Sequence, residues 1–365
     1  MEVKVWSYLE QLENERNEIA DAIDRVLDSG VLILGENVKK FEEEFSSYCN
    51  CKYGVGVNSA TDALFLALKA LNLKKGDEVI TVSNTAVPTV SAIVAAGGIP
   101  VFVEIEEESY LMDVDKIQES ISKKTKGIIA VHLYGQCVDM DKVNDIAKKN
   151  KIFVIEDCSQ SHGALYKSKI SGCMSDISAF SFYPTKLLGG YGDGGMMVCN
   201  SEELYSKMKR LRFYGMDKTY YANEDGYNSR LDEIHASILR TKLKKLDRYI
   251  DKRRLIAKTY DEKLSNTNLI LPKEMSYNRH SYYVYVVRHR NRDQILNNLR
   301  KRNIFLNISY PWPIHTMDAY QHLGYKNGDL PITEKCANEI FSLPMYPELS
   351  IEKQEYLIKE LKNLI

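Results

Sequence analysis

Short apolar runs and amphipathic runs alternate along most of this chain. YGVGVNSA, from Tyr53, leads into TDALFLALKALNL, where Leu64, Ala67, Leu68 and Leu71 recur on one helical face. A Gly76-Asp77 turn and the strand-like EVITVSN follow. TAVPTVSAIVAAGG then predicts a helix with Pro88 near its start and glycines at its end. IPVFVEI, KGIIAVHLYG and KIFVIEDCSQ read as further strands, and DMDKVNDIAKKN as a helix between the last two. Strands so rich in β-branched residues, alternating with helices, predict an α/β fold around a mostly parallel sheet.

The rhythm changes in RLDEIHASILRTKLKKLDRYIDKRRLIAKTYDEKL, which reads as one long helix or two consecutive ones. Beyond it come a strand in YYVYVVRHR, a helix in DQILNNLRKRN and a closing amphipathic helix in IEKQEYLIKELKNLI. A chain of 365 residues exceeds what one core usually organises. The boundary is placed near residue 250, giving a large domain over 12–250 and a small one over 251–365 that also takes residues 1–11.

Composition narrows the classes. Lysine plus arginine (49) and aspartate plus glutamate (50) nearly cancel, so no basic excess points to nucleic acid. MEVKVWSYLEQLENERNEIA is too charged for a signal peptide, and SAIVAAGGIPVFV is too short and broken for a membrane span. Seven scattered cysteines without C-x-x-C or zinc spacing predict reduced, mostly buried thiols in a cytoplasmic protein.

In open parallel sheets ligands lie at the carboxyl ends of the strands, and three such ends here are polar. Asn58-Ser59-Ala60-Thr61-Asp62 starts a helix with small residues, suited to an anion or to plain N-capping. Glu156-Asp157 ends an apolar strand and needs a partner. A pyridinium, a metal, a ribose, an arginine or a neighbouring helix would serve, with Gln160 and His162 within a turn. The third end is SFYPTKLLGGYGDGG, Ser181 to Gly195, with a single lysine, Lys186. Gly190 to Gly195 spells G-x-G-x-x-G, but the strand-like MMVCN follows where a dinucleotide site requires a helix. Those glycines are expected to allow close backbone approach or a tight turn. Pyridoxal 5'-phosphate (PLP) would use all three ends: a lysine for its aldehyde, a carboxylate for its ring nitrogen and an anion hole for its phosphate. The lysine, once released by substrate, could act as general base.

The segments SGVLILGENVKKFEEEF, GVNSATDALFLAL, VHLYGQCVDM, EDCSQSHGA, SFYPTKLLGGYGDGG and GYNSRLDEIHASIL resemble the DegT/DnrJ/EryC1/StrS family of PLP-dependent sugar aminotransferases almost end to end. The resemblance implies an aspartate-aminotransferase-like fold (PLP fold type I), with a mixed seven-stranded sheet in the large domain and a smaller C-terminal α/β domain. It implies that Lys186 bonds the cofactor aldehyde, Asp157 the ring nitrogen and Gln160 the ring hydroxyl. Ser181 and the backbone at Ser59 and Ala60 would hold the phosphate. Asn228 in GYNSRLDE would reach that phosphate from the neighbouring subunit of a homodimer. Two positions depart from the family pattern. Ser59-Ala60 stands where Gly-Thr is usual, and Ala86 stands where many members stack an aromatic on the cofactor.

The family's acceptors are nucleotide-linked keto sugars, with L-glutamate as the usual donor. The SNTAVPT form resembles members that aminate C3 of a dTDP-3-keto-6-deoxyhexose; members acting at C4 of UDP- or GDP-linked sugars more often keep the aromatic. Tyr183, three residues before Lys186, and Tyr310 and His315 in the proline-fixed ISYPWPIHTMDAY are expected substrate contacts, with Trp312 a core anchor. His132 and His162 are either core histidines or ligands. Tyr214 and Tyr221 flank an expected mobile loop near the nucleotide. A C3 dehydratase, which has histidine in place of the lysine, is opposed by Lys186. A PLP-binding regulatory protein without turnover is the alternative from another class. A nicotinamide-dependent reductase would rest on G-x-G-x-x-G alone.

Overall fold

The computed structural model describes residues 1–365. Its first half alternates as expected: α1 (Leu9–Ser29), α2 (Glu36–Tyr48), β1 (Tyr53–Val57), α3 (Ala60–Ala70), β2 (Glu78–Val82), α4 (Val87–Ala95), β3 (Ile99–Val103), β4 (Thr125–Val131), α5 (Met140–Asn150), β5 (Phe153–Asp157), β6 (Ile177–Ser181) and β7 (Gly195–Cys199). There follow α6 (Glu202–Arg212), α7 (Glu233–Leu243), α8 (Leu246–Leu264), β8 (Tyr285–Arg288), α9 (Arg292–Arg300), α10 (Pro331–Glu339), β9 (Ile340–Leu343) and α11 (Ile351–Lys362). The long amphipathic segment is therefore two helices, α7 and α8.

Seven strands form one sheet in the order β1-β7-β6-β5-β4-β2-β3. The pairs β2/β3, β2/β4, β4/β5 and β5/β6 are parallel, while β7 is antiparallel to both β1 and β6. Only β7 is reversed, so it begins where its neighbours end: Gly195 pairs with Val57 on one side and Ser181 on the other. The glycine-rich stretch runs straight into this strand, and no helix follows it.

Local chemistry explains the helix starts. Ser59 caps α3, Asp139 caps α5, Ser201 caps α6 and Asp232 caps α7, each side chain accepting a backbone N–H from the first turn. Pro88 lies in the first turn of α4, where its missing N–H costs nothing. Helix α3 buries Ala63, Leu64, Leu66, Ala67 and Leu68 between the sheet and its helical neighbours. Each buried leucine contributes about 1.5–3 kcal/mol, which anchors the N-terminus of α3 at the end of β1.

A cluster of 46 apolar side chains fills the region around the sheet. A separate cluster of 20 joins Val3 to side chains from Ile256 to Leu361. Strands β8 and β9 pair antiparallel there, and Val3–Lys4 runs parallel to Ile304–Phe305. All seven cysteines are free thiols, and six are buried. No helix is long and apolar enough to cross a membrane.

Candidate active site at the strand ends

The carboxyl ends of β1, β2, β4, β5 and β6 border a cavity of about 340 Å³. Ser59, Ala60, Asp157, Gln160, Ser181, Tyr183, Lys186 and Tyr310 all line it, so segments as far apart in sequence as Ser59 and Tyr310 converge there.

The first wall is the start of α3. Ser59 is extended (φ −161°), and its hydroxyl accepts from the Asp62 N–H at 3.2 Å. The N–H groups of Ala60 and Thr61 have no carbonyl within the helix to bond, as in any first turn, and the helix dipole adds positive potential. Ser181, the last residue of β6, stands beside them; its hydroxyl accepts from the Tyr183 N–H at 3.3 Å. Gly195 brings β7 against this turn so closely that a Cβ there would lie 2.4 Å from the Ser59 carbonyl carbon and oxygen.

The second wall comes from β5. Asp157 is buried, yet no basic side chain pairs with it. Its Oδ2 accepts from Thr89 Oγ1 at 2.7 Å and its Oδ1 from the Ser159 N–H at 3.1 Å. Gln160 is held in one orientation: Oε1 accepts from the Tyr134 N–H at 2.9 Å, and Nε2 donates to the Tyr310 hydroxyl at 2.9 Å. Burial holds the Tyr310 hydroxyl far above the usual phenol range, so it stays protonated.

Lys186 stands on the loop that closes from Phe182 to Gly194, through bonds of 2.8 Å from Phe182 N–H to Gly194 C=O and from Gly190 N–H to Phe182 C=O. It is the sole lysine or arginine on the cavity wall, facing a surface that also carries Asp157 and Asp193. Its Nζ lies 4.4 Å from the centroid of the Tyr283 ring, and the Tyr283 hydroxyl is 2.9 Å from Thr185 Oγ1. Beneath this loop His162 packs among Phe45, Phe180 and Phe182, with neither ring nitrogen hydrogen-bonded. Burial and the nearby Lys186 charge push its pKa down to about 3, so it is neutral.

Glu156, next to Asp157, points away into the protein. It accepts from His132 Nε2, the Gly172 and Met174 N–H groups and Ser178 Oγ, all at 2.9–3.0 Å. Burial raises its pKa, but these donors outweigh burial and hold it below the usual carboxylate value. His132, whose Nδ1 also accepts from the Val138 N–H, is thus a satisfied core histidine.

Other expectations are corrected or relocated. His315 does not reach the cavity. Its Nδ1 meets Ser83 Oγ at 2.8 Å and its Nε2 meets Glu334 at 3.1 Å, leaving no ring nitrogen for a sugar. Trp312 is no core anchor; 68% of it is exposed, because Pro311 and Pro313 hold it on a surface loop. Asn228 is exposed and outside its own chain's cavity, on a segment whose Ser229 hydroxyl donates to Asn58 at 3.1 Å. Tyr214 is 42% and Tyr221 64% exposed, the latter in a small hairpin of Met216–Lys218 with Tyr221–Ala222. Tyr283, Thr85 and Thr89 line the cavity without having been singled out in the sequence. Thr85 and Thr89 flank Ala86 in SNTAVPT, so interest in that segment could have led to them. Tyr283 carries no local signal among 24 tyrosines.

The donor set fits PLP. A buried carboxylate lacking a cationic partner suits a protonated ring nitrogen, the open turn of α3 suits a phosphate, and the Lys186 amine is bound to no carboxylate. This sheet, with this cavity at its strand ends, defines a PLP-dependent aminotransferase. Solved structures agree. S. venezuelae DesV in complex with a ketimine intermediate superposes with a TM-score of 0.98 at 36% identity, covering 100% of this chain and 98% of that one. NtdA from Bacillus subtilis with bound cofactor PMP superposes with a TM-score of 0.91 at 30% identity, covering 96% and 82%.

The chain belongs to the DegT/DnrJ/EryC1/StrS aminotransferase family, whose profile matches residues 13–362. It is 48% identical to the dTDP-3-amino-3,4,6-trideoxy-alpha-D-glucose transaminase of Micromonospora megalomicea subsp. nigra, over 100% of this chain and 99% of that protein. It is 43% identical to the dTDP-3-amino-3,6-dideoxy-alpha-D-galactopyranose transaminase of Aneurinibacillus thermoaerophilus, over 94% of each. It is also 40% identical to a protein of Geobacillus stearothermophilus named pleiotropic regulatory protein, over 99% and 98%.

Proposed function

We propose that this aminotransferase moves an amino group from L-glutamate to C3 of a dTDP-linked 3-keto-6-deoxyhexose. The observation that carries the reading is the convergence of Lys186, Asp157, Gln160 and the open turn at Ser59-Ala60 on one cavity. The names of the 48% and 43% identical relatives support the dTDP-linked 3-amino product. Those relatives differ in whether C4 of the sugar keeps a hydroxyl, so substrates with and without that hydroxyl are both candidates here. Ala86, small and on the cavity wall, supports C3 over the C4 chemistry of UDP- or GDP-linked sugars, since it leaves one side of the cavity open to the sugar.

PLP, when bound, supplies an electron sink for the carbanion formed at the amino-bearing carbon. The protein's part is to hold and to move protons. Asp157 would keep the ring nitrogen protonated, and Gln160 would donate from Nε2 toward the ring hydroxyl. Ser181 and the backbone N–H groups at Ser59-Ala60 would hold the phosphate, assisted by Asn228 from a second copy of the chain in a homodimer. Lys186, once freed by the incoming amine, would take the proton from the amino-bearing substrate carbon at Nζ and hold it for return. Tyr183 and Tyr310 contact the sugar. The working unit is a large domain ending near residue 250 and a small domain completed by residues 1–11, in a cytoplasmic enzyme.

The regulatory reading draws support from the name of the 40% identical relative, and turnover separates the two. Purified protein supplied with PLP is expected to show a visible band that L-glutamate bleaches, and Lys186→Ala to show no bleaching. A dTDP-3-amino-3,6-dideoxyhexose offered with 2-oxoglutarate should then be deaminated. Colourless protein would refute the cofactor assignment. A band indifferent to glutamate and to amino sugars would favour regulation, and activity confined to UDP- or GDP-4-amino sugars would move the reaction to C4.

A further inference from the structure

Thr89 is buried in the first turn of α4, and its hydroxyl oxygen lies 2.7 Å from Asp157 Oδ2. Thr85, two residues before α4 begins and also buried, places its hydroxyl 3.1 Å from that of Thr89. An ionised carboxylate accepts hydrogen bonds and donates none. The Thr89 proton is therefore committed to Asp157. A hydroxyl has one proton, so the remaining contact requires Thr85 to donate to Thr89. The chain Thr85→Thr89→Asp157 has a single polarity, and Thr85, which lines the cavity, presents only lone pairs to a ligand.

The opposite oxygen of Asp157 takes the Ser159 N–H at 3.1 Å. Donors from two elements, α4 and the loop after β5, thus clamp the two carboxylate oxygens and fix the plane of the group. Without Thr89 only one clamp remains, and the carboxylate can turn about its side-chain bonds.

We propose that Thr89 is a positioning residue, which with Thr85 behind it aims the Asp157 carboxylate at the cofactor ring nitrogen. The inference rests on the cofactor reading above. Its ligand is the protonated pyridine of PLP, and its effect passes through Asp157.

The test is PLP titration of the apoprotein, followed by the absorption and fluorescence of the bound cofactor. A hydrogen bond to a charged group is involved, so Thr89→Val is expected to weaken PLP binding by about ten- to a hundredfold. The maximum of the bound band should move with it. Thr89→Ser, which keeps the donor, should restore both affinity and band position. Thr85→Val removes only a neutral link and should weaken binding by about two- to tenfold. A role in packing alone would lower the melting temperature of Thr89→Val without moving the band, and Thr89→Ser would not recover it. Wild-type binding and an unmoved band in Thr89→Val, or a Thr89→Ser no better than Thr89→Val, would overturn the proposal while leaving the cofactor reading intact. Wild-type protein that takes up no PLP would defeat the cofactor reading, and the positioning role with it.

Discussion

Gly195→Ala isolates the contact on which the phosphate wall depends. Gly195 opens β7 and is paired on both sides, with Val57 and Ser181. An added Cβ would lie 2.4 Å from the carbonyl carbon and oxygen of Ser59 and 2.7 Å from the Ala60 nitrogen. Ordinary contact begins at 3.4 Å, so about 1 Å of separation must be recovered. The atoms in the way are backbone and cannot rotate aside. Either β7 leaves its two partners or the first turn of α3 moves outward. Overpacking of this kind costs about 1–3 kcal/mol, a sizeable part of a stability of about 5–15 kcal/mol. The moving peptide is also the one offered to the phosphate. A shift of about 1 Å takes an N–H out of hydrogen-bond range, and PLP affinity should fall about tenfold or more. Thermal unfolding of the apoprotein and PLP titration of the same sample measure both effects. Gly190→Ala is the control: in the loop that leads to Gly195, its Cβ would meet nothing nearer than 3.5 Å, and it should behave as wild type. A Gly195→Ala protein that melts and binds PLP like wild type would refute the close-approach argument.

Two further substitutions test the layer beneath the cavity. His162 takes up a proton near pH 6.5 when unfolded but only near 3 when folded, so between those values the unfolded state binds more protons and stability drops as pH is lowered. Wild type should lose about 2 kcal/mol from this group between neutral pH and about pH 5, and His162→Leu should lack that component in urea unfolding at the two pH values. Equal acid sensitivity of the two proteins would show that His162 is not buried as described. Glu156→Gln replaces one acceptor of a four-donor carboxylate with an NH₂ group that confronts donors, and should cost about 1–3 kcal/mol at pH 7. Because its folded-state pKa is lowered, Glu156 stabilises the fold above its unfolded pKa and loses that contribution as pH falls through the folded one. The gap between Glu156→Gln and wild type should therefore narrow in acid, and a constant gap would count against an ionised Glu156.

The parts of the site that sequence reasoning reached share one property: each lies within a few residues of an apolar strand. Asp157 ends FVIED and Gln160 follows it, Ser59 and Ala60 follow YGVGV, and Ser181 ends ISAFS with Lys186 shortly after. The strand's burial marks its end, and the polar residue types there announce their chemistry. The loop from Ser309 to Thr316 has no such period. Its two prolines indicate a fixed loop, but which side chain turns inward depends on partners far away. Ser83 and Glu334 draw His315 into the interior, and nothing comparable holds Trp312. Tyr283 reaches Lys186 from almost a hundred residues further along the chain, and no local pattern encodes that approach.

Hydrophobic periodicity and end residues alone determined the succession of strands and helices, because both depend on neighbours within a few positions. They also set the inventory of a lysine, a carboxylate in need of a partner and a helix start suited to an anion or to N-capping. Which strands lie side by side was decided by packing. The order β1-β7-β6-β5-β4-β2-β3 brings Ser59, Ser181 and Asp157 to one edge, and no local pattern contains that order. The reversal of β7 sets Gly195 against Ser59, and helix α4 docks Thr89 on Asp157. These contacts exist only once the sheet is assembled, since each joins groups that burial, rather than chain proximity, brings within reach.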